Sequence, residues 1–172
     1  KLSDISMLKQ FTNMEELALE FIDLPVEKIP KWMQLLSKTG IIDLRKRFAV
    51  DLSPLKDLHN LQRLTLDGTS IVNIKPLANL KNLELLNFMS ASITDIKPLK
   101  NLTQLEQLCI QNTQVSDIKP IKGLVNLKEL HLSRTPVKDI EPLKYLVNLT
   151  SLTIEYAPIC NLEPIKELTN LQ

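Results

Sequence analysis

Histidine and cysteine, two residue types that often act as general bases, nucleophiles or metal ligands, are scarce in this sequence. The 172 residues include two histidines and two cysteines, namely His59, His131, Cys109 and Cys160. Cys109 and His131 lie 22 residues apart, an interval that recurs along the chain, so we expect them on neighbouring strands. A thiol beside an imidazole could begin a nucleophilic site, which also needs an oxyanion hole and a group that orients the base. The sequence supplies neither, so we predict that the chain is not an enzyme.

The other candidates for chemistry are isolated from one another. His59 occupies a different part of the repeating unit from His131, so the two cannot share a metal ion. Cys160 lies two units beyond Cys109 and in another part of the unit, which is too far for a disulfide bond. The sequence also lacks a glycine-rich phosphate loop, a zinc-binding spacing and a calcium loop. We therefore predict no metal site and no cofactor, and no requirement for an oxidising compartment.

The composition is that of a globular chain with an unusual bias. Hydrophobic residues make up 44% and charged residues 24%, with a formal net charge of +1, so there is no general electrostatic reason to expect a nucleic-acid partner. No apolar run approaches the roughly 20 residues that span a bilayer. With 3 Gly, 10 Pro and 4% aromatic residues, the chain is expected to repeat one tight aliphatic unit.

The repeat is set out by prolines at intervals of 22 residues: Pro54, Pro76, Pro98, Pro120, Pro142 and Pro164. Cutting on this period gives six units over residues 39–170, which begin at Thr39, Leu61, Leu83, Leu105, Leu127 and Leu149. Within a unit, aliphatic residues recur at positions 1, 4, 6, 11, 14, 17 and 20, proline stands at 16, and asparagine usually closes the unit at 22.

The ends of the chain follow the same rule less strictly. Residues 14–38 form an irregular unit of 25 residues, residues 1–13 match the tail of a unit, and residues 171–172 begin another. We predict a single repeat domain over residues 1–172. Because neither end resembles the polar cap that repeat arrays need, we expect a fragment of a longer protein with flanking repeats or domains.

The spacing within a unit predicts a strand and a short turn. Positions 3 to 7 alternate outward and inward, which is typical of a half-buried strand. Seven strands are predicted, centred on residues 17–19, 42–44, 64–66, 86–88, 108–110, 130–132 and 152–154. Parallel neighbours need a crossover, for which Asp at position 13 is an N-cap and Pro at 16 fits a first helical turn. The predicted fold is an α/β solenoid, right-handed by the crossover rule.

The pattern resembles the leucine-rich repeat family over essentially the whole chain. It is similar to the 22-residue internalin-type units that read L-x-x-L-x-L-x-x-[NT]-x-I-x-D-I-x-P-L-x-x-L-x-N, and residues 61–148 match best. Position 9 departs from this pattern at Ala91, Ala157 and Arg47. The resemblance implies a curved solenoid with a parallel sheet on its concave side and short 3-10 or helical segments on its convex side. It also implies binding of other proteins as the usual activity.

The outward strand positions 3, 5 and 7 would form the concave surface. Nothing in the fold requires apolar residues there, so Leu85, Met89 and Cys109 are candidates for a contact patch, although scattered apolar surface residues are also normal. Tyr156 adds an aromatic residue at the edge of the sheet. The predicted partner-binding residues are Ile41, Asp43, Arg45, Arg63, Thr65, Asp67, Leu85, Asn87, Met89, Gln107, Cys109, Gln111, Glu129, His131 and Tyr156.

Charges separate weakly between the two sides of the predicted solenoid. Acids outnumber bases at the concave positions, whereas lysines dominate the convex positions: Lys56, Lys75, Lys81, Lys97, Lys100, Lys119, Lys122, Lys144 and Lys166. One interpretation is that the concave face attracts a basic partner. The interpretation that we favour is that both sets of charges keep the surface solvated. The lysine row lacks interleaved aromatics and arginines, so no nucleic-acid partner is expected.

Two functions from different classes follow. The first is a protein-interaction module that holds a protein partner on its concave face, as part of a bacterial secreted or surface protein. The alternative is an intracellular sensor or regulatory array attached to an enzyme or NTPase domain. A signal peptide and wall anchor in flanking sequence would indicate the first, and a nucleotide-binding domain the second. Secretion or the bacterial cell surface is slightly favoured over the cytoplasm.

Overall fold

The structure is a parallel sheet that continues on one side into a row of short 3-10 turns. The computed structural model describes residues 13, 15–18 and 51–172. These residues form six strands: β1 (Glu16–Ala18), β2 (Arg63–Thr65), β3 (Leu85–Asn87), β4 (Gln107–Cys109), β5 (Glu129–His131) and β6 (Ser151–Thr153). The turns are η1 (Ser53–Leu55), η2 (Lys75–Asn79), η3 (Lys97–Asn101), η4 (Lys119–Gly123), η5 (Glu141–Tyr145) and η6 (Glu163–Ile165). No helix in this described part of the chain is long and apolar enough to cross a membrane.

The strands pair in chain order and in one constant register. From β2 to β6, each residue faces the residue 22 positions later, as Leu64 faces Leu86 and Leu108 faces Leu130. Equivalent positions of neighbouring repeats therefore lie side by side about 4.8 Å apart. This confirms the predicted repeat solenoid with parallel strands and 3-10 turns.

The core is a set of aliphatic columns that run along the stack. The central residue of each of the strands β2 to β5 is completely buried, as are Leu66, Phe88, Ile110 and Leu132 two residues later. Leu77, Leu99, Ile121 and Leu143 bury the 3-10 turns against the same core. In the last repeat Leu152 and Ile154 are only partly buried.

The strand count differs from the predicted seven. The five strands β2 to β6 follow the 22-residue period, but β1 pairs directly with β2, with Glu16 facing Arg63 and Ala18 facing Thr65. The period instead predicts that the neighbour of β2 is a strand at 42–44. Residues 42–44, and the irregular unit apart from residues 15–18, lie outside the described residues.

The chain leaves each strand through a residue in the left-handed conformation. Position 8 has a φ between 55° and 62° in five consecutive repeats, at Gly68, Ser90, Asn112, Arg134 and Tyr156. The backbone N–H at this position still extends the ladder to the next repeat, since Gly68 donates to the carbonyl of Met89 at 2.7 Å. Only glycine, and to some extent asparagine, adopts this conformation readily. The sequence pattern did not reveal the position because glycine occupies it only once.

Position 9 explains why the family pattern tolerates different residues there. The buried hydroxyl groups of Thr69, Thr113 and Thr135 each donate to the carbonyl of position 6 at 2.6–2.7 Å. Where the residue is Ala91, its backbone N–H donates to the same carbonyl of Phe88 at 2.9 Å instead. The position-6 carbonyl is thus satisfied with or without a side-chain donor.

The 3-10 turns begin one residue later than an N-cap at position 13 predicts. The N-cap residue itself is the aliphatic residue at position 14, such as Ile118. The carboxylate of Asp117 at position 13 accepts the backbone N–H of Lys119, the first residue of η4, at 2.9 Å. Asn73 and Asn161 make the same contact in other repeats. Proline is the second residue of every turn, where its missing N–H costs nothing.

Asparagine at position 22 ties four of the repeats to the preceding one. The side-chain amide of Asn126 donates to the carbonyl of Thr103 at 2.9 Å, and that of Asn148 donates to the carbonyl of Val125 at 2.8 Å. The same contact joins Asn82 to His59 and Asn170 to Val147. These bonds satisfy a carbonyl in the bend that leads into the next strand.

Replacing Leu108 with alanine tests the core columns. Leu108 is completely buried in β4 at the centre of the array, so we expect the Leu108→Ala change to lower the free energy of unfolding by about 2–5 kcal/mol. Denaturant unfolding followed by circular dichroism measures this. The control Val147→Ala, at a side chain that is 58% exposed, should change the free energy by less than about 0.5 kcal/mol. A neutral Leu108→Ala would contradict the register described above.

The cap at position 13 is tested by two substitutions at Asp117. We expect Asp117→Ala to lower the free energy of unfolding by about 1 kcal/mol because the N–H of Lys119 loses its acceptor. Asp117→Asn should be close to neutral, since asparagine already makes this bond in two other repeats. Equal losses in both variants, measured by the same unfolding experiment, would show that the carboxylate charge matters more than the hydrogen bond.

Candidate functional site: the outward face of the strands

We call the outward side chains at positions 3, 5 and 7 the strand face. The constant register places them in rows across the sheet, so that Leu85 lies between Arg63 and Gln107, and Cys109 lies between Asn87 and His131. The described residues of the strand face are Glu16, Arg63, Thr65, Asp67, Leu85, Asn87, Met89, Gln107, Cys109, Gln111, Glu129, His131, Ser133, Ser151, Thr153 and Glu155. Because the core columns hold the backbone, these side chains are positioned whatever their identity.

Apart from Tyr156 at the edge of the sheet, the predicted site residues fall into three groups. Ile41, Asp43 and Arg45 lie outside the described residues. Asp67 is 7% exposed, so this predicted contact residue is covered, and the side-chain amide of Asn87 on the neighbouring strand donates to its carboxylate at 3.2 Å. The other predicted strand-face residues lie together on the described part of the sheet: Arg63, Thr65, Leu85, Asn87, Met89, Gln107, Cys109, Gln111, Glu129 and His131.

A shallow depression occupies the centre of the strand face. It has a volume of about 130 Å³, and Leu85, Cys109, Asn87, Gln107 and His131 contribute to its lining together with Glu129. Of the predicted apolar patch, Leu85 and Cys109 share this depression, whereas Met89 lies beyond it at the end of its strand and is 36% exposed. The depression therefore combines two apolar side chains, placed diagonally on β3 and β4, with polar side chains from β3 to β5.

The polar side chains of the depression are held in place by a connected set of contacts. The side-chain amide of Gln107 donates to Oε1 of Glu129 at 2.9 Å, and Oε2 of Glu129 lies 3.9 Å from Nε2 of His131. Nδ1 of His131 lies 3.0 Å from the hydroxyl of Thr153. Three adjacent strands thus fix the orientation of these side chains before any ligand arrives, which lowers the entropy lost on binding.

The structure does not arrange Cys109 and His131 as a nucleophile and its base. Both ring nitrogens of His131 are directed to Thr153 and Glu129, although the backbone places His131 directly beside Cys109. Burial raises the pKa of the Cys109 thiol, and the charge of Asp67 adds to the increase, while a backbone hydrogen bond from Gln111 opposes it. A raised pKa reduces the thiolate fraction, which is the reactive form.

The remaining chemistry of the described residues is sparse. Cys109 and Cys160 are both free thiols. No group of three or more potential metal ligands occurs among the residues that the structure describes. The strand face instead carries exposed ion pairs at its border, where Arg63 meets Glu16 at 4.0 Å and Lys128 meets Glu106 at 2.7 Å. Such exposed pairs orient side chains but contribute little stability.

The edge of the sheet carries a pair that the sequence pattern did not single out. The guanidinium of Arg134 lies 5.2 Å from the centre of the Tyr156 ring, and Tyr156 is 79% exposed. Both residues occupy position 8, in the left-handed conformation. The 22-residue interval between them was a usable signal, since it places Arg134 beside the tyrosine that was predicted as a contact residue.

Comparison with known proteins now identifies the family. A family model for leucine-rich repeats, in two copies, matches residues 81–124. The solved structure of an internalin C2 of Listeria monocytogenes is 30% identical, with a TM-score of 0.71, over 95% of this chain and 71% of that chain. The chain belongs to the leucine-rich repeat family. Its internalin-like character, expected from the repeat pattern, is confirmed.

Two further structures show how much of such a protein this leucine-rich repeat chain covers. An internalin (inlF) of Listeria monocytogenes is 26% identical with a TM-score of 0.77, and the match covers 98% of this chain but 49% of that one. A leucine-rich repeat protein of Leptospira interrogans shares the fold at 22% identity, with a TM-score of 0.74 over 97% of this chain and 44% of that one. The chain thus spans about half the length of these two structures. A search of curated proteins found no significant match.

The reactivity of Cys109 tests whether it forms a catalytic pair. We expect the pH-dependence of its alkylation by iodoacetamide, followed by peptide mass spectrometry, to inflect at a higher pH in the folded protein than in the protein unfolded in urea, because burial disfavours the thiolate. The His131→Ala variant should leave this inflection almost unchanged. An inflection below that of the unfolded chain, lost in His131→Ala, would indicate an activated thiol instead.

Proposed function

We propose that this leucine-rich repeat array is a protein-recognition module that holds a protein partner on its strand face. The observation that carries the proposal is the central depression, in which Leu85 and Cys109 supply apolar surface among the ordered polar side chains of Gln107, Glu129 and His131. The core columns are already complete beneath these residues, so the fold does not require this combination. An apolar centre with oriented polar groups is the usual composition of a recognition surface.

The proposal extends to the border of the face. Met89 adds apolar surface beyond the depression. Its backbone N–H donates a hydrogen bond to the side-chain oxygen of Asn87 at 3.0 Å. Tyr156 and Arg134 form a stacked pair at the edge. Tyrosine and arginine are enriched among residues that dominate binding energy, and a stacked pair loses little side-chain entropy on binding.

Similarity to internalins supports the location that we propose, which is a bacterial secreted or cell-surface protein. This location and the identity of the partner belong to the whole protein, of which the chain spans about half when measured against two solved relatives. We also propose that residues 1–172 act as one repeat domain within it.

A comparison of three baits in an affinity capture tests the proposal. The baits are the native chain, a strand-face variant with Leu85→Glu and Met89→Lys, and a matched control with Val72→Glu and Val147→Lys. Val72 and Val147 are 60% and 58% exposed and lie away from the strand face, so the control changes charge and apolar area in the same way. Circular dichroism should show that all three are folded.

We expect a partner that binds the native and control baits and is lost from the strand-face variant. With the purified partner, the strand-face variant should bind at least about tenfold more weakly in calorimetry, because one lost hot-spot residue costs more than 1.4 kcal/mol. A partner held equally by all three baits would place the binding site elsewhere. Capture of no partner by any bait would contradict a recognition function for this segment.

A further inference from the structure

The 3-10 turns on the opposite side of the molecule carry pairs of lysines. In other turns one lysine of the equivalent pair is replaced by a glutamate. Side chains three residues apart lie on the same side of a 3-10 turn. In η3 these positions hold Lys97 and Lys100, and in η4 they hold Lys119 and Lys122. The turns pack against each other with a separation close to the strand spacing of about 5 Å. The four lysines, which we call the lysine square, are therefore neighbours both within and between turns.

The next two repeats show what this geometry accommodates. In η5 the first position holds Glu141, whose carboxylate accepts from the ammonium of Lys144 at 2.8 Å. The pair Glu163 and Lys166 repeats the contact at 2.8 Å. In η5 and η6 the lysine at the fourth position of the turn therefore pairs with a carboxylate at the first position. In the lysine square the first position holds a lysine instead.

The lysine square has no ion-pair partner within the described part of the chain. All four side chains are exposed, and only Lys122 has a side-chain contact, in which its ammonium lies 5.6 Å from the centre of the Tyr145 ring. Asp95 and Asp117, two residues before the first lysine of each turn, accept the N–H groups of Lys97 and Lys119. On the side of η5, Lys119 and Lys122 share a depression with Asp139 and Glu141, and Glu141 is already paired with Lys144. Residues 95–101 and 117–123 together hold four lysines and two aspartates, a net charge of 4 − 2 = +2.

We propose that the lysine square is a second docking surface, which binds an acidic segment rich in aspartate and glutamate on a partner protein. Carboxylates from that segment would take the places that Glu141 and Glu163 occupy in the later repeats. The proposal is independent of the strand face, since the two surfaces lie on opposite sides of the core. The proposal assigns a binding role to these four lysines, whereas the interpretation that they keep the surface solvated assigns them no partner.

The composition of the surface favours an acidic protein over nucleic acid or membrane. The square contains no arginine, which pairs with phosphate in a bidentate manner. Stacked aromatics, which hold single-stranded nucleic acid, are also missing from the square itself. The internal glutamate–lysine pairs at 2.8 Å show instead that carboxylates fit. Charge complementarity at close range then gives both orientation and a faster association rate.

The test measures binding of a fluorescein-labelled oligo-glutamate peptide by fluorescence anisotropy. The loss variant is Lys97→Glu with Lys119→Glu, which reproduces the glutamate–lysine spacing of η5 and η6 and is therefore expected to fold normally. The gain variant is Glu141→Lys, which extends the square by one repeat. The control is Lys56→Glu with Lys138→Glu, at two exposed lysines outside the square, so that the net charge changes by the same amount.

We expect the loss variant to bind the peptide about tenfold or more weakly, the gain variant to bind more tightly and the control to stay near the native affinity. Binding should weaken with added salt, because exposed charges are screened over about 8–10 Å. Equal losses in the loss variant and the control, or no binding by the native chain, would overturn the proposal. A labelled DNA duplex or phosphatidylserine vesicles that bound more tightly than the peptide, and through the same lysines, would overturn the choice of an acidic protein.

The same variants separate this proposal from the proposed function. The loss variant should still capture a partner that depends on Leu85 and Met89, since those residues lie on the strand face. The strand-face variant should bind the oligo-glutamate peptide like the native chain. Failure of one experiment therefore leaves the result of the other intact.

Discussion

The stacking of aliphatic side chains in a single constant register is the constraint on which the rest of this structure depends. Each strand between β2 and β5 buries its central residue between identical positions of its two neighbours. Burying one such side chain contributes about 1.5–3 kcal/mol, and each repeat buries several. Substitutions at exposed positions of the strand face or of the 3-10 turns change the free energy of unfolding by much less. Both surfaces can therefore vary in sequence while their geometry remains fixed.

Much of this arrangement was predictable from the sequence because it is repeated. The period of the prolines, the aliphatic positions and the acid at position 13 together predicted the parallel strands, the short turns between them and the neighbouring positions of Cys109 and His131, and the family resemblance added the 3-10 geometry of the turns. Repetition makes a weak local signal reliable, since the same side chain must satisfy the same environment in every unit.

The features that the sequence did not predict are those in which backbone and side-chain preferences disagree. Arg134 and Tyr156 are poor indicators of a left-handed residue, so position 8 was visible only in the structure. Asp67 follows a strand-like alternation but is buried, and it accepts a hydrogen bond from the side chain of Asn87 in the next repeat. The direct pairing of β1 with β2 was also hidden, since a period in the sequence fixes which residues are equivalent and does not by itself fix which strands meet.

Solvent-exposed residues vary from repeat to repeat in different ways on the two sides of the core. On the strand face, neighbouring repeats differ from one another, so that apolar and polar side chains alternate within one depression. From η3 to η6, the i, i+3 pairs of the turns are of two kinds, lysine–lysine in η3 and η4 and glutamate–lysine in η5 and η6. Along these four turns the charge pattern changes once, between η4 and η5.

The pairing of β1 with β2 has a consequence for the order in which the molecule assembles. Residues that face each other from β2 onward are separated by 22 positions, whereas Glu16 and Arg63 are separated by 63 − 16 = 47. Closing the longer connection costs about 0.7 kcal/mol more in chain entropy, by the logarithmic dependence on loop length. Contacts between adjacent 22-residue repeats are the more local ones and should form first. The array then presents the edge of β2 as a finished template, onto which β1 is added as the last strand.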